Sequence, residues 1–329
     1  MAYGITVPFD GSSLLEQWEL IRRLPDLGYT DAWSSEAEGT DAFTPLALAA
    51  AWAPGLRLGT AIVPVFTRGP ALLAQSAAAL AEAAPGRFAL GLGTSSPVVV
   101  EGWNAMSFDR PLARVRDLLA FLPLAFAGGR VEQDFETFSV HGYRLGRPPA
   151  SPPPLLVAAL RPGMLRLAGR AADGVILNWL SAADVPRALA EVRAGAAAGP
   201  AAGEGRPAPE VVARLFVCPS TDTETVRAQA KRLLSVYLNI PAYAAFHEWL
   251  GRGSLLAETW AAWRAGDRRA ATSAVPDVVV DDLVLHGHPD QIRERVQAYV
   301  EAGVTTPVLA VLPLAGVDVG HAVEDLAPG

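Results

Sequence analysis

Short apolar segments alternate with longer amphipathic segments along almost the whole 329-residue chain. The short segments have the length and composition of buried strands, and the longer ones have the spacing of helices. This alternation is typical of βαβ units, in which consecutive strands run parallel and the helix covers the sheet. Eight strands are predicted in this way: 5–9, 31–34, 56–65, 88–92, 155–159, 174–178, 211–218 and 308–312.

Eight strand and helix pairs predict an α/β fold, a single (β/α)8 TIM barrel in which residues 1–329 form one domain. An open, doubly wound sheet is the alternative, but the alternation continues to the last strand and no glycine-rich dinucleotide-binding motif follows the first. Two excursions interrupt the pattern. Residues 128–154, before strand five, include an alternating run that predicts a hairpin, and the aromatic segment 240–275 follows strand seven. The glycine- and alanine-rich stretch 195–207 predicts a surface loop.

Composition and charge exclude several classes of partner. The chain has 27 Lys and Arg against 34 Asp and Glu, so the clustered cations of a nucleic-acid surface are not expected. Cys218 is the sole cysteine, and its place in strand seven predicts burial rather than disulfide or metal chemistry. Residues 1–10 lack the features of a signal peptide, and no stretch reaches the roughly 20 apolar residues of a membrane-spanning helix. We therefore expect a cytoplasmic protein without metal, membrane or nucleic-acid partners.

In a barrel of this kind the chemistry is located where the strands end at their carboxyl termini. Ser35 and Glu36 follow strand two and would place a hydroxyl and a carboxylate at the mouth. Gly93, Thr94 and Ser95 follow strand four, where glycine lets a ligand approach the backbone and hydroxyls supply hydrogen bonds. A solvated loop would also explain Glu36, and an ordinary turn would explain residues 93–95. These two motifs alone therefore leave the function open.

Strand five opens directly into a helix at Arg161, Pro162 and Gly163. Free backbone amides at a helix start, the positive end of its dipole and a nearby guanidinium together favour a bound phosphate. A plain strand-to-helix turn with an early proline would give the same sequence. Asn178 and Trp179, which follow strand six, combine an amide with a stacking surface. The fifth and sixth strand ends are therefore predicted to bind a ligand.

Other features of the chain constrain the chemistry further. Pro64 lies within strand three, where it would remove a ladder hydrogen bond, so that strand is expected to distort or end nearby. His247 lies among aromatic residues of the second excursion, an environment more typical of packing than of catalysis. His286 and His288 have no carboxylates at a spacing that suits a metal. No serine or cysteine nucleophile motif is present.

Four ordered segments carry a family resemblance: GYTDAWSSEA at 28–37, LGTAIVPVFTRGP at 58–70, GRFALGLGTSSP at 86–97 and AALRPGM at 158–164. Together they resemble the luciferase-like monooxygenase superfamily, and more closely its branch of oxidoreductases that use the deazaflavin coenzyme F420. GHPDQI at 287–292 is similar to the start of the superfamily's closing helix. The resemblance implies a homodimeric barrel oxidoreductase with the isoalloxazine-like ring in the barrel mouth.

The resemblance also implies roles for individual residues. Glu36 corresponds to an acidic residue that approaches the ring, which makes it the catalytic candidate. Ala61 and Ile62 correspond to a bulge in strand three, with a non-proline cis peptide bond between them, that would support the ring. The residues expected to bind the cofactor are Ser35, Glu36, Ala61, Ile62, Gly93, Thr94, Ser95, Ala159, Leu160, Arg161, Pro162, Gly163, Met164 and Asn178. Those expected to contact the substrate are Trp103, Trp179 and His247.

The sequence leaves four functions open. The leading hypothesis is hydride transfer between F420 and a small organic substrate, with the two excursions as substrate covers. Ala37 stands where sugar-phosphate-oxidising members have a histidine, so their catalytic scheme cannot be carried over. The alternatives are an FMN-dependent monooxygenase that uses O2 and a partner reductase, a non-catalytic flavin-binding barrel, and a sugar-phosphate isomerase or lyase. The last needs a paired acid and base at the mouth, where only Glu36 is evident.

Overall fold

A computed structural model describes residues 2–199 and 207–328, and its main sheet is a closed parallel barrel. The strands are β1 (Gly4–Thr6), β2 (Asp31–Ser34), β3 (Arg57–Thr60), β4 (Val63–Pro64), β5 (Phe88–Gly93), β6 (Val131–Asp134), β7 (Ser139–Tyr143), β8 (Leu155–Ala158), β9 (Gly174–Asn178), β10 (Glu210–Cys218), β11 (Val284–His286) and β12 (Thr306–Val311). The ring closes because β1 pairs with both β2 and β12, while β10 pairs with both β9 and β12. The predicted (β/α)8 barrel is confirmed.

Helices cover the outside of this ring. They are α1 (Trp18–Arg23), α2 (Phe43–Trp52), α3 (Pro70–Ala83), α4 (Pro111–Phe126), α5 (Pro162–Ala171), α6 (Val185–Ala197), α7 (Thr223–Tyr237), α8 (Pro241–Trp249), α9 (Gly253–Arg264), α10 (Arg268–Ser273), α11 (Asp277–Leu283), α12 (Pro289–Glu301) and α13 (Val319–Asp325). Several begin with proline, whose missing N–H costs no hydrogen bond in the first turn of a helix. None of the described helices is both long and apolar enough to span a membrane.

The excursions have the structures that their sequences suggest, with one addition. The hairpin before β8 is formed by β6 and β7, which pair antiparallel, so that prediction is confirmed. It packs on the outer side of α4, where Phe121 contacts Phe135, Phe138 and Tyr143. The segment after α7 forms α8, α9 and α10. The short strand β11 was not predicted, and it extends the sheet beside the end of β10.

The predicted loop at 195–207 is wrong at its beginning, because α6 continues through Gly195 to Ala197. A Cβ atom on Gly195 would lie 2.0 Å from the carbonyl oxygen of Arg166, and one on Gly169 would lie 1.9 Å from that of Val192. These glycines let α5 and α6 pack with their backbones in contact. The stretch is therefore rich in small residues partly because the helices touch there. Residues 200–206 of the predicted loop lie outside the described residues.

The amino-terminal end of the barrel is closed by side chains. Trp33 fills the centre, and a Cβ atom on Gly59 would lie 2.3 Å from its ring. Below it, the Arg57 guanidinium contacts the carboxylates of Asp31 at 3.1 Å and Glu210 at 2.7 Å, and it lies 5.5 Å from the Trp33 ring. Charged groups that are partly buried need such partners. The described side chains therefore fill this end of the barrel, and a ligand is expected at the opposite end, where the strands finish.

Candidate functional site at the carboxyl ends of the strands

The floor of the mouth is interrupted by a bulge between β3 and β4. Gly59 pairs with Ala89 and Val63 pairs with Leu92, so the segment from β3 to β4 contains one residue more than the matching part of β5. The peptide bond between Ala61 and Ile62 is cis, as predicted. The Thr60 side chain replaces the backbone hydrogen bonds that the bulge removes. Its hydroxyl donates to the Gly91 carbonyl at 2.9 Å and accepts from the Gly91 amide at 2.8 Å. Pairing is therefore interrupted before Pro64 rather than at it.

The bulge gives the mouth an apolar floor. Ala61, Ile62 and Ala158 are partly exposed above the buried cluster that fills the barrel around Trp33. A Cβ atom on Gly93 would lie 2.7 Å from Cγ1 of Ile62, so glycine leaves the space that the Ile62 side chain occupies. Small side chains and glycine let a flat group approach the backbone closely.

Glu36 is held by neighbours on both sides of its carboxylate. Oε1 accepts from Nη1 of Arg68 at 2.5 Å and from the Thr67 hydroxyl at 3.2 Å, and Oε2 accepts from the Ala42 amide at 3.1 Å. The backbone of Glu36 also donates to the carbonyl of Ile62 at 3.1 Å. Glu36 therefore ties the loop after β2 to the bulge and to the start of α2. Its neighbour Ser35 is partly buried beside it.

The turn from β8 into α5 presents unused backbone donors. The amides of Leu160, Arg161 and Gly163 have no hydrogen-bond acceptor within the described residues, whereas the next amides donate back to the Arg161 carbonyl. The Arg161 side chain is exposed, and it makes no ion pair with another described residue. Ala159, just before the turn, is buried, and Pro162 and Met164 are partly buried. The start of α5 thus has the free donors and the dipole that an anion requires.

The end of β5 continues into an irregular segment. Ser95 has a left-handed φ of 59°, and Thr94 and Ser95 are both partly buried next to Gly93. Beyond them, Val98–Trp103 forms a short π-helix that ends in Trp103, whose side chain is 56% exposed. Trp103 therefore lies on the surface beyond the β5 end, while residues 93–95 lie at the mouth.

Aromatic and amide side chains line the opposite side, at the ends of β9 and β10. Trp179 is buried, has a φ of 52°, and stacks on Phe216 with ring centroids 3.6 Å apart. The Asn178 amide donates to the Tyr243 hydroxyl of α8 at 3.0 Å. Burial raises the pKa of Tyr243 to about 12, so its hydroxyl stays protonated. The second excursion therefore reaches the mouth through α8.

His247 lies on the same helix but is not brought to the mouth. It is fully buried, and neither ring nitrogen has a hydrogen-bond partner within the described residues. Burial, together with the charge of Arg252, lowers the pKa of His247 to about 4. Arg252 pairs with Asp184 at 2.8 Å and Asp282 at 3.1 Å, which fixes the turn after α8. In this arrangement His247 packs against the fold rather than facing a substrate.

Sequence reasoning missed two residues at the mouth, Tyr243 and Arg214. Arg214 lies in β10, which was interpreted only as a buried strand, yet alternation of side chains along that strand directs it inward. The sequence signal for Arg214 was that it is the single charged residue in the apolar run between Val212 and Phe216. No group of three or more potential metal ligands lies together in the described part of the chain. Cys218 is buried as predicted, and burial raises its pKa to about 11.

These features define a class of protein before any comparison is made. The mouth offers an apolar floor for a planar group, free amides for an anion at one side, and aromatic and amide side chains at the other. An extended ligand with a flat ring and a phosphate-bearing tail, as in flavins and deazaflavins, fits this arrangement. The mouth therefore has the features of a site for an extended ligand that carries a flat ring and an anion.

The chain belongs to the luciferase-like monooxygenase family, whose sequence model matches residues 1–306. A Mycobacterium tuberculosis protein, provisionally named a coenzyme F420-dependent oxidoreductase, is 29% identical over 313 residues, which cover 88% of this chain and 89% of that protein. A 5,10-methylenetetrahydromethanopterin reductase of Archaeoglobus fulgidus is 27% identical, covering 88% of this chain and 87% of the reductase. The chain is thus similar to these proteins over most of its length.

Solved structures share the fold. A coenzyme F420-dependent tetrahydromethanopterin reductase from Methanopyrus kandleri superposes with a TM-score of 0.79 at 22% identity, covering 99% of this chain and 97% of that one. The oxygenating constituent of a Pseudomonas putida diketocamphane monooxygenase, solved with FMN, gives a TM-score of 0.65 at 18% identity, covering 99% and 96%. Proteins named for either cofactor therefore have this barrel.

Proposed function

We propose that the protein is an F420-dependent oxidoreductase that transfers a hydride between the deazaflavin and a small organic substrate. The observation that carries the proposal is that the Ala61–Ile62 bulge and the free amides at the start of α5 both lie at the barrel mouth. The first suits a flat ring and the second suits the phosphate of the same ligand. The Mycobacterium tuberculosis relative, which is named for coenzyme F420, supports this cofactor over FMN.

When bound, the deazaflavin accepts or delivers the hydride, so the protein has to position the two reactants and exclude water. Ala61, Ile62 and Gly93 would support the ring, and the amides of Leu160 and Gly163 would bind the phosphate. Ser35, Thr94, Ser95 and Asn178 are placed to add hydrogen bonds at the edge of the mouth. Trp179 would support the substrate side, because its ring is fixed by stacking on Phe216.

Glu36 is the candidate acidic residue, and its contacts define how it would act. Arg68 and the Ala42 amide hold the carboxylate in one orientation at the β2 end. Removing the charge of Glu36 therefore also releases Arg68. If Glu36 acts chemically, Glu36→Gln lowers kcat far more than Arg68→Met does; equal losses in the two variants would assign Glu36 a positioning role.

A cofactor titration tests the proposal. F420 and FMN are added separately to the purified protein, and binding is followed by the quenching of tryptophan fluorescence. We expect F420 to bind more tightly than FMN and the reduced coenzyme to be stable in air on the protein. Tighter binding of FMN, with oxygen consumption when a flavin reductase is added, would overturn the proposal in favour of a monooxygenase.

We also propose a homodimer, which the family resemblance implies, and a cytoplasmic location. Sedimentation equilibrium of the purified protein measures the first, and fractionation of the producing cells measures the second. A monomer at micromolar concentration would contradict the proposed assembly without affecting the cofactor assignment.

A further inference from the structure

Arg214 places a positive charge inside the barrel, near the mouth. In β10 the side chains alternate, and Val212 belongs to the cluster that fills the barrel. Arg214, two residues later, therefore points inward as well. It pairs in register with Asn178 of β9 on one side and with Val308 of β12 on the other, and Asn178 is the last residue of its strand. Arg214 thus lies one layer above the packed interior.

This guanidinium has no acidic partner within the described residues. Its Nε atom is buried without a hydrogen bond to any described residue, and the guanidinium carbon lies 5.0 Å from the centre of the Phe216 ring. Burial lowers the pKa of Arg214 below its usual range. The carboxylate of Asp10, in the exposed loop after β1, raises the pKa of Arg214 from a distance and forms no ion pair with the guanidinium.

Three other arginines in the described part of the chain, all at least partly buried, have the acidic partner that Arg214 lacks. Arg57 contacts Asp31 and Glu210, Arg68 contacts Glu36, and Arg252 contacts Asp184 and Asp282. A charge that is removed from water without a partner destabilises the fold. Residues that weaken a fold in this way are characteristic of functional sites, where the missing partner is the ligand.

The neighbours of Arg214 define the chemistry of that partner. The Asn178 Oδ1 atom is buried and accepts no hydrogen bond within the described residues, while the Asn178 amide nitrogen is used by Tyr243. Tyr237 and Tyr243 add neutral phenols to the same wall, because burial raises the pKa of both. Phe216 and Trp179 supply the apolar surface. Together these side chains offer a forked cationic donor, one free acceptor and aromatic faces.

We propose that Arg214 binds the carboxylate of the substrate, so that the enzyme acts on small organic acids. A guanidinium fork donates two parallel hydrogen bonds to the two oxygens of a carboxylate. The Asn178 Oδ1 atom accepts from a hydroxyl or amine next to that carboxylate. This inference names the substrate class for the proposed oxidoreductase and rests on that function for its site, but the anion binding can be measured without the coenzyme.

Benzoate and its neutral counterpart benzamide are suitable probes, measured by isothermal titration calorimetry with and without F420. We expect the wild-type protein to bind benzoate at least about tenfold more tightly than benzamide, since hydrogen bonds to a charged group carry that much preference. Arg214→Met removes the preference and Arg214→Lys restores part of it. Arg187→Met is the matched control, because Arg187 also lies over an aromatic ring, at 4.6 Å from that of Trp249, but on the exposed surface.

Two further readouts separate binding from a structural role. Arg214→Met should melt at the wild-type temperature or higher, since it removes a partly buried charge that has no acidic partner within the described residues, and it should bind F420 with unchanged affinity. A lower melting temperature, a benzoate preference that survives in Arg214→Met, no preference in the wild type, or a loss of F420 affinity in place of benzoate affinity would each overturn the proposal. Tighter binding of FMN than F420 would contradict the proposed function and leave the benzoate result intact.

Discussion

The two sides of the barrel mouth are built from different parts of the chain. On the side of β3, β5 and β8, the binding surface is backbone: the Ala61–Ile62 bulge, the glycines of β5 and the amides at the start of α5. On the side of β9 and β10 it consists of side chains, with Asn178 and Arg214 among aromatic rings. A surface made of backbone can bind a group that all ligands of one cofactor class share. A surface made of side chains can be altered by a single substitution, and with it the ligand that binds. The first side is therefore suited to the cofactor and the second to the substrate.

The largest expected effect lies on the backbone side, at Gly91. A Cβ atom there would lie 1.9 Å from the carbonyl oxygen of Thr60, which is fixed by the bulge. We expect Gly91→Ala to lower the free energy of unfolding by about 3 kcal/mol, the upper end of the usual cost of overpacking, because backbone atoms cannot move aside as a flexible side chain can. Urea denaturation measures this. Gly55→Ala is the control, since a Cβ atom on Gly55 meets only Pro25, at 3.9 Å.

If Gly91→Ala and Gly55→Ala proved equally stable, the close approach of β5 to the end of β3 would not constrain the fold. Backbone packing would then not determine the shape of this side of the mouth.

The next largest effect concerns α8, where Tyr243 and His247 lie one turn apart on the same face. Tyr243 reaches the mouth, but His247 is buried with a pKa of about 4. Because the folded pKa lies below the unfolded value of 6.5, the stability that neutral His247 contributes is complete above about pH 6.5. It is lost as the pH falls towards 4. The loss amounts to about 3 kcal/mol, from roughly 1.4 kcal/mol for each pKa unit.

Urea denaturation between pH 7 and pH 4 measures this loss as the difference between the wild type and His247→Leu, whose stability should depend less on pH. His321→Gln, at a histidine side chain that is 84% exposed, should match the wild type. Parallel pH profiles for wild type and His247→Leu would show that His247 titrates freely, as a substrate-facing histidine would.

A smaller effect is expected at Arg161, on the cofactor side. Its guanidinium is exposed beside the free amides of the α5 start, where it can add a charge-assisted hydrogen bond to a phosphate. We expect Arg161→Ala to weaken F420 binding about tenfold in a fluorescence titration and to leave benzoate binding unchanged. Arg214→Met should do the reverse. A loss of both ligands in either variant would contradict the division of the mouth into two sides.

Much of the fold and the cofactor side follow from the sequence, for identifiable physical reasons. The alternation of buried strands with helices has few solutions, and eight units close into a barrel. The bulge at Ala61–Ile62 could be predicted because Pro64 disfavours regular strand pairing and because the surrounding segment resembles the family. Backbone-built features of this kind are recorded locally, in glycine, proline and small residues, so a sequence reveals them.

The substrate side could not be predicted in the same way. Arg214 is separated from Asn178 by 36 positions and from Tyr243 by 29, and only the barrel register brings the three together. His247 was expected at the mouth because it lies in the aromatic excursion, but one helical turn after Tyr243 the side chain faces the packed interior. The strand β11 has three residues and is too short for periodicity to indicate.

The smallest expected effect is at Tyr243, which joins α8 to the substrate side. Tyr243→Phe removes the acceptor of the Asn178 amide and leaves the helix anchored by Arg252. A single hydrogen bond to a neutral group contributes about 1 kcal/mol, so benzoate should bind about three- to tenfold more weakly, with F420 affinity unchanged. Tyr143→Phe is the matched control, because the Tyr143 hydroxyl also makes one hydrogen bond, to the Ala71 carbonyl at 3.2 Å, but from the hairpin. If both variants bound benzoate equally well, α8 would not contribute to the substrate side, and Asn178 and Arg214 would define that side without the excursion.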